Sequence, residues 1–392
     1  MAYIKETDDR YVARTYKRFP VEIVSGQGSY LFGEDGRRYI DMGTGIGVTA
    51  FGHADPVWQA AVTAQLGKVA HTSNLYYTEP CARLAALLCE GTGMARVFFG
   101  NSGAEANECA IKVARKYAAD HRGIESPVIV TLKNSFHGRT LTTLAATGQD
   151  HFHKLFTPLT PGFVHAEAGN IEEMQKILDE NAVAAVLLEC VQGEGGVNAL
   201  DGEYLRAVEA LCRERDVLLM IDEVQTGNGR TGALYSYMHH GLTPDVVTTA
   251  KGLGGGLPIG ACLMSEKVEG VLGYGDHGST FGGNPVAAAG AVSILSRLDE
   301  AFLAEVRRKS ERILSACRGA RGIRSVSGLG LMIGLETVRP AADVLAECMA
   351  NGVLCLTAKT KVRLLPPLNI DDATLDEALS VILAAAAKGV EE

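Results

Sequence analysis

Three stretches of this sequence combine residue types that could do chemistry. Val246-Val-Thr-Thr-Ala-Lys251-Gly-Leu-Gly-Gly-Gly256 sets a lysine between an apolar run and a glycine-rich turn. A lysine amine titrates near 10.4 in water and is a poor nucleophile until desolvation or neighbouring cations lower that value. Leu218-Leu-Met-Ile-Asp222-Glu223-Val224-Gln225 ends a second apolar run in two carboxylates. Burying them is costly unless each is paired or used. One could sit in a structural ion pair. Adjacent acids could also hold Mg²⁺, but no G-x-x-x-x-G-K-[ST] loop accompanies them, which removes the NTPase reading. The third stretch is Phe98-Phe-Gly-Asn-Ser-Gly-Ala-Glu-Ala-Asn107. Ser102 and Glu105 have the S-x-x-E spacing of a capping box, so a helix starts here. Gly103 lets a bound group approach the exposed N–H groups, which favour an anion such as phosphate. An ordinary capped helix without a ligand accounts for the same residues.

The elements that must position these residues are legible as a rhythm. Short apolar runs at Arg96–Phe99, Val128–Leu132, Val183–Leu188, Val217–Ile221, Val246–Thr249 and Ile259–Met264 are separated by helical stretches. Unbroken apolar runs suit strands covered on both faces. Their alternation with helices predicts an α/β protein built on a largely parallel sheet with right-handed crossovers. Ligands in such sheets bind at the carboxyl ends of the strands, where Asp222 and Lys251 stand. An anion-binding helix start, a strand-end acid and a strand-end lysine together are what pyridoxal phosphate requires. The lysine holds the aldehyde as a Schiff base, the acid keeps the pyridine nitrogen protonated, and the helix end takes the phosphate. A rival exists: Gly100-Asn-Ser102-Gly-Ala104 matches the G-x-S-x-G elbow of serine hydrolases, with Ala in the last glycine position. That would make Ser102 a nucleophile, although the capping box already gives it a structural task.

The rest of the chain sets the frame. Its 392 residues predict two to three domains. The longest purely apolar stretches, Ala182–Leu188 and Val381–Ala387, have seven residues each, against the roughly 20 that a membrane helix needs. The formal charge of −9 argues against general nucleic-acid binding. The first ten residues lack an apolar signal region, and nine scattered cysteines without a C-x-x-C pair read as reduced thiols, so a cytoplasmic protein is expected. Tyr30–Ile40 reads as a hairpin turning at Glu34-Asp35-Gly36. Asp55-Pro56 predicts a helix to Val69, and Thr78 with Pro80 predicts another ending near Gly91. After residue 284 the pattern becomes a helical stretch Pro285–Arg318 broken near Asp299, strand-rich Ile323–Glu336, a short strand Val362–Leu365 and a terminal helix Asp372–Lys388. The expected division is an N-terminal segment, 1–50, packing with a small C-terminal α/β domain, 285–392, around a large cofactor domain, 51–284.

Longer blocks carry a family resemblance. They are Asn101-Ser-Gly-Ala-Glu-Ala-Asn107, Phe136-His-Gly-Arg-Thr140, Gln192-Gly-Glu-Gly-Gly196, Asp222-Glu-Val-Gln225, Gly229-Arg-Thr-Gly232, Ala250-Lys251 and Gly278-Ser-Thr-Phe-Gly-Gly-Asn-Pro285. From Tyr16-Lys-Arg-Phe-Pro20 to Arg363-Leu-Leu-Pro-Pro-Leu368 the chain resembles the class III aminotransferases of the pyridoxal-phosphate fold-type I superfamily. The resemblance implies a seven-stranded-type, mostly parallel sheet sandwiched by helices plus a smaller domain. It implies a homodimer with shared active sites and no metal. Lys251 would carry the cofactor and shuttle a proton, and Asp222 would pair with the pyridinium. Val224 and Phe136 would flank the ring, Gln225 would meet its hydroxyl, and Gly103 and Ala104 would donate to the phosphate. Ser279 and Thr280 would reach in from the neighbouring subunit, Thr280 to the phosphate. Arg139 would hold the α-carboxylate of an acylated ornithine, Arg363 that of 2-oxoglutarate or glutamate, and Glu194 would gate Arg363. The implied reaction is ping-pong transfer from N²-acetylornithine to 2-oxoglutarate in arginine biosynthesis. Succinylornithine, N-succinyl-diaminopimelate, ornithine and 4-aminobutyrate are alternative donors. Cys190, Ala104 and Asn228 depart from the residues usual at their positions in that family.

Overall fold

Unbroken apolar runs become the strands of one central sheet in the computed structural model, which describes residues 3–391. Its strands are β1 (Arg96–Gly100), β2 (Val128–Leu132), β3 (Phe163–Ala166), β4 (Val183–Leu188), β5 (Leu218–Asp222), β6 (Val246–Thr249) and β7 (Gly260–Met264). They lie side by side as β1-β7-β6-β5-β4-β2-β3. Neighbours from β6 through β3 pair in parallel. β7 is antiparallel to both β6 and β1. The reversal has a simple cause. The link from β6 to β7 holds only a short 3₁₀ turn, Lys251–Leu253, and a parallel crossover needs a dozen or more residues. β3 is absent from the expected runs because it is a four-residue edge strand with three partly exposed side chains, Phe163, Val164 and His165.

Both faces of the sheet are covered, as the lack of polar alternation requires. The helix Gly103–Arg122 lays Ala110, Val113, Ala114 and Tyr117 against Leu187, Met220, Val246 and Cys262. Leu84, Leu88, Leu188, Ile221 and Val247 pack on the other side. Each such aliphatic side chain contributes about 1.5–3 kcal/mol by leaving water, which anchors the strand ends that carry Asp222 and Lys251.

A second cluster is built on a four-stranded antiparallel sheet. The hairpin Ile323–Leu329 and Met332–Thr337 pairs with Lys361–Leu364, which pairs with Leu356–Ala358. This register sets Arg363 opposite Gly334. The N-terminal strands Ile23–Gln27, Tyr30–Gly33 and Arg38–Asp41 form their own sheet, completed by Val353–Leu354 from the far end of the chain. Ile40 and Met42 therefore share a core with Ile313, Leu335, Val344 and Ile382.

Helix ends follow local chemistry. Asp55 accepts the Trp58 N–H and Pro56 opens the helix Pro56–Leu66, which stops three residues before Val69. The next helix, Glu79–Thr92, ends at Gly93 with φ +72°, and the Thr78 side chain makes no capping bond, contrary to expectation. Asp299 and Asp371 cap Glu300–Cys317 and Asp372–Ala387 by accepting from Phe302 and Thr374. Among the described residues no helix is long and apolar enough to cross a membrane.

Candidate active site

The carboxyl ends of β5 and β6 open into a cavity of about 440 Å³. Lys251, Asp222, Val224, Gln225, Phe136 and Arg139 line it, with Gly103 and Ala104 at the helix start. Residues scattered over half the chain meet because parallel strands deliver their ends to one edge of the sheet.

Asp222 forms the buried floor, 3% exposed. Its Oδ2 accepts from Asn107 Nδ2 and His137 Nδ1, both at 2.8 Å, and its Oδ1 accepts from the Val224 N–H at 3.0 Å. Asn107 is held in turn: Nδ2 also donates to the His137 carbonyl, and Oδ1 accepts from Thr248 Oγ1 at 2.7 Å. Such a chain of bonds fixes a carboxylate in one orientation. The adjacent Glu223 points elsewhere. It accepts from Ser236 Oγ, the Tyr237 N–H and Thr226 Oγ1 and has no cationic partner among the described residues, so it is a hydrogen-bonded acid and not half of an ion pair. Burial pushes its pKa up.

Lys251 opens the 3₁₀ turn with φ +47°, a left-handed conformation rare outside glycine. Among the described residues its amine makes no hydrogen bond or ion pair. Burial lowers its pKa below the usual lysine range, while the charges of Glu194 and Asp222 oppose that shift. A larger share of the amine is thus neutral and able to react.

Gly103 owes its identity to packing as well as to openness. A Cβ there would lie 2.6 Å from Val224 Cγ1, so the missing side chain brings the helix start against the loop after β5. The N–H groups of Gly103 and Ala104 lie in the first turn, where no preceding carbonyl can accept them. Ser102 caps the Glu105 N–H and donates to the Glu105 carboxylate, which also accepts from the Asn101 N–H. That occupies the Ser102 hydroxyl, and among the described residues no histidine bonds to it, which removes the hydrolase elbow.

Two guanidinium groups stand in opposite states, Arg139 in the cavity lining and Arg363 behind the lining residue Gln225. Arg363, with a side chain 3% exposed, donates from Nη1 to Glu194 Oε1 at 2.6 Å and to Gln225 Oε1 at 3.1 Å. Burial would raise the Glu194 carboxyl, but the charge and hydrogen bond of Arg363 outweigh it and hold Glu194 below the usual carboxylate range. Arg139 is exposed and, among the described residues, has no carboxylate partner; its guanidinium stacks 4.6 Å from the Phe152 ring and 5.7 Å from Phe136.

Within one chain Thr280 does not line this cavity, and Ser279 meets its edge through the lining residue Asn101, whose Nδ2 donates to Ser279 Oγ at 3.2 Å. Ser279 and Thr280 line a separate hollow with Tyr76, Tyr77 and Tyr274. Three residues of the site are absent from the expected set: Asn107, His137 and Glu189. Asn107 and His137 lie inside two of the motif blocks, but nothing in their spacing signals that both reach Asp222. Glu189 follows the end of β4 and accepts the Phe136 and Gly193 N–H groups. Burial pushes its pKa up to about 7, with His137 opposing and Asp222 adding to the rise. Among the described residues no cluster of His, Cys, Asp and Glu could hold a metal ion.

The donor set fits pyridoxal phosphate: a lysine amine unengaged among the described residues, an oriented buried carboxylate, two first-turn amides that no preceding helical carbonyl accepts, and an aromatic ring and a valine beside the same space.

Comparison with known proteins gives the family. The family model for aminotransferase class-III matches residues 11–386. The acetylornithine aminotransferase of Haemophilus ducreyi is 52% identical over 97% of both chains. That of Methanocaldococcus jannaschii is 41% identical over 96% of both. Among solved structures, the ornithine aminotransferase of Toxoplasma gondii ME49 superposes with a TM-score of 0.94 at 32% identity, covering 97% of this chain and 94% of that one. The N-acetylornithine aminotransferase of Stenotrophomonas maltophilia K279a gives 0.84 at 35% identity, covering 97% and 98%.

Proposed function

The chain belongs to the class-III aminotransferases, enzymes that depend on pyridoxal phosphate, and from that premise we propose that its amino donor is N²-acetylornithine. The δ-amino group passes to 2-oxoglutarate by a ping-pong route, leaving N-acetylglutamate 5-semialdehyde and glutamate, an amino transfer of arginine biosynthesis. The observation that carries this reading is the pair of unlike arginines. One site must accept an ω-amine whose reacting carbon bears no carboxylate, and then a 2-oxo diacid whose reacting carbon does. Glu194 covers Arg363 in the first case and releases it in the second. Arg139 stays uncovered, and its planar fork suits the donor's distant carboxylate. The names of the similar enzymes support the choice of donor.

Bound pyridoxal phosphate supplies an electron-accepting ring and a carrier for the amino group. Lys251 would hold it and, with its lowered pKa, take and return the proton at the substrate carbon. Asp222, oriented by Asn107 and His137, would hold positive charge on the pyridine nitrogen. Gly103 and Ala104 would hold the phosphate, Phe136 and Val224 the ring faces, and Gln225 the ring hydroxyl.

We further read the enzyme as a cytoplasmic homodimer, with Ser279 and Thr280 serving the neighbouring subunit's cavity and Thr280 its phosphate. The support is an exposed apolar face beside them, with Leu75, Tyr76, Tyr77, Tyr274 and Phe281 in water. All nine cysteines are free, which suits a reducing compartment. We keep the division 1–50, 51–284 and 285–392 as a working one; the pairing of Arg38–Asp41 with Val353–Leu354 supports it. A donor panel with 2-oxoglutarate tests the substrate: acetylornithine should lead succinylornithine, ornithine, 4-aminobutyrate and N-succinyl-diaminopimelate. Equal rates on ornithine would overturn the proposed donor while leaving aminotransfer intact.

A further inference from the structure

The ends of β5 and β6 hold Asp222 and Lys251 side by side, but the backbone ladder between them gives out before the lysine. The register runs Met220 to Val246, Ile221 to Val247 and Asp222 to Thr248. The last ladder bond is from the Glu223 N–H to the Thr248 carbonyl at 2.8 Å. Beyond it one chain turns away through Thr226 to Gly229, and the other passes Thr249 and Ala250 into Lys251. The Asn228 side chain bridges the gap. Asn228 Nδ2 donates to Thr249 Oγ1 at 2.9 Å and to the Ala250 carbonyl at 3.1 Å. Asn228 is 2% exposed and sits at φ +57°, a left-handed conformation that asparagine tolerates better than most residues.

The Ala250 carbonyl reports the tilt of the peptide joining Ala250 to Lys251. That plane turns as Ala250 ψ and Lys251 φ change together, and it is caught at ψ −144° and φ +47°. A lysine has no preference of its own for that φ. The Leu253 N–H, from the 3₁₀ turn itself, also reaches this oxygen, at 2.9 Å. Asn228 is the donor that ties it to the strand bearing Asp222. Fixing the plane fixes the direction in which the Lys251 side chain leaves the backbone.

We propose that Asn228 is a positioning residue for Lys251, holding the Ala250–Lys251 peptide so that the amine enters the cavity beside Asp222. The proposal rests on the reading of Lys251 as the cofactor lysine. Its rival is plain packing, since Asn228 Cβ lies 3.4 Å from where a Gly252 side chain would begin.

Two variants keep the left-handed backbone and remove the amide donor: Asn228→Gly and Asn228→Asp. Each is prepared as the pyridoxal-phosphate holoenzyme and assayed with acetylornithine and 2-oxoglutarate, and the bound cofactor's absorbance is titrated against pH. In both, kcat should fall about tenfold with KM for both substrates within about twofold, the pattern of an interaction felt in the reacting state. The pH midpoint of the absorbance should shift, because it reads the surroundings of the Lys251 nitrogen. A fall in melting temperature or in kcat with an unmoved midpoint would overturn the proposal in favour of packing, as would unchanged kcat and midpoint in a folded variant. Borohydride reduction of the unsubstituted holoenzyme separates the two layers. If the cofactor is trapped on another residue, the reading of Lys251 has failed; if it is trapped on Lys251 and the variants behave normally, only the role of Asn228 has.

Discussion

Removing Glu194 should change which amino donor the enzyme prefers. In Glu194→Ala the 2.6 Å contact to Arg363 is lost. Charge-assisted hydrogen bonds of this kind are worth about 1.5–3 kcal/mol. Breaking a fully buried ion pair costs about 3–5 kcal/mol, but the Glu194 side chain is 29% exposed, so water offsets part of that and the lower figure applies. On the proposed gating role, an incoming α-carboxylate displaces Glu194 before it reaches Arg363. Without the acid that cost disappears for glutamate, while acetylornithine, which presents no carboxylate there, meets a bare guanidinium. Each 1.4 kcal/mol is a factor of about ten, so the ratio of kcat/KM for glutamate over acetylornithine should rise roughly 10- to 100-fold. The assay mixes holoenzyme with one donor at a time and follows the cofactor's absorbance by stopped flow. An unchanged ratio, or an equal fall for both donors, would refute the gating role.

Three further outcomes follow from the same geometry. Glu189 titrates near 7 in the folded chain against 4.5 ordinarily, so the folded state binds the extra proton and stability falls as pH rises between those values. Glu189→Gln should therefore narrow the difference between urea melts of the holoenzyme at pH 5 and pH 8 by about 1–3 kcal/mol, and parallel profiles would show that Glu189 does not titrate there. Arg139→Leu should raise KM for acetylornithine about tenfold or more through loss of a bidentate partner, yet leave a simple alkylamine donor, which has no carboxylate at all, nearly untouched; equal losses on both would move the carboxylate site elsewhere. Tyr77→Glu combined with Phe281→Glu should yield monomers in sedimentation with weakened cofactor binding, and a dimer of normal affinity would place the interface on another face.

The parts of this fold that could be read from the sequence are those where burial leaves little choice. β4, β5 and β6 are covered on both faces, so a charged residue at or just past their ends is costly unless it is used, and it stands out. Asp222 and Lys251 were conspicuous for that reason. β3 lacked the signal because an edge strand tolerates exposure, and the direction of β7 depends on a connection too short to cross over. The bonds from Asn107 and His137 to Asp222 join three distant stretches of chain, and no local spacing encodes them. Gly103 invited the idea of an open cradle, whereas the nearest constraint on it is Val224. Ser279 and Thr280 line a different hollow of their own chain, so the role proposed for them calls for a second subunit and no local spacing encodes it.

The central claim is that the cofactor is joined to one particular amine. Reducing the holoenzyme with borohydride, digesting it and sequencing the peptides by mass spectrometry tests this directly. A phosphopyridoxyl group on Lys251 alone is the result this account predicts. The same group on any other lysine, or a Lys251 peptide that stays unmodified while the protein takes up the label, would contradict it.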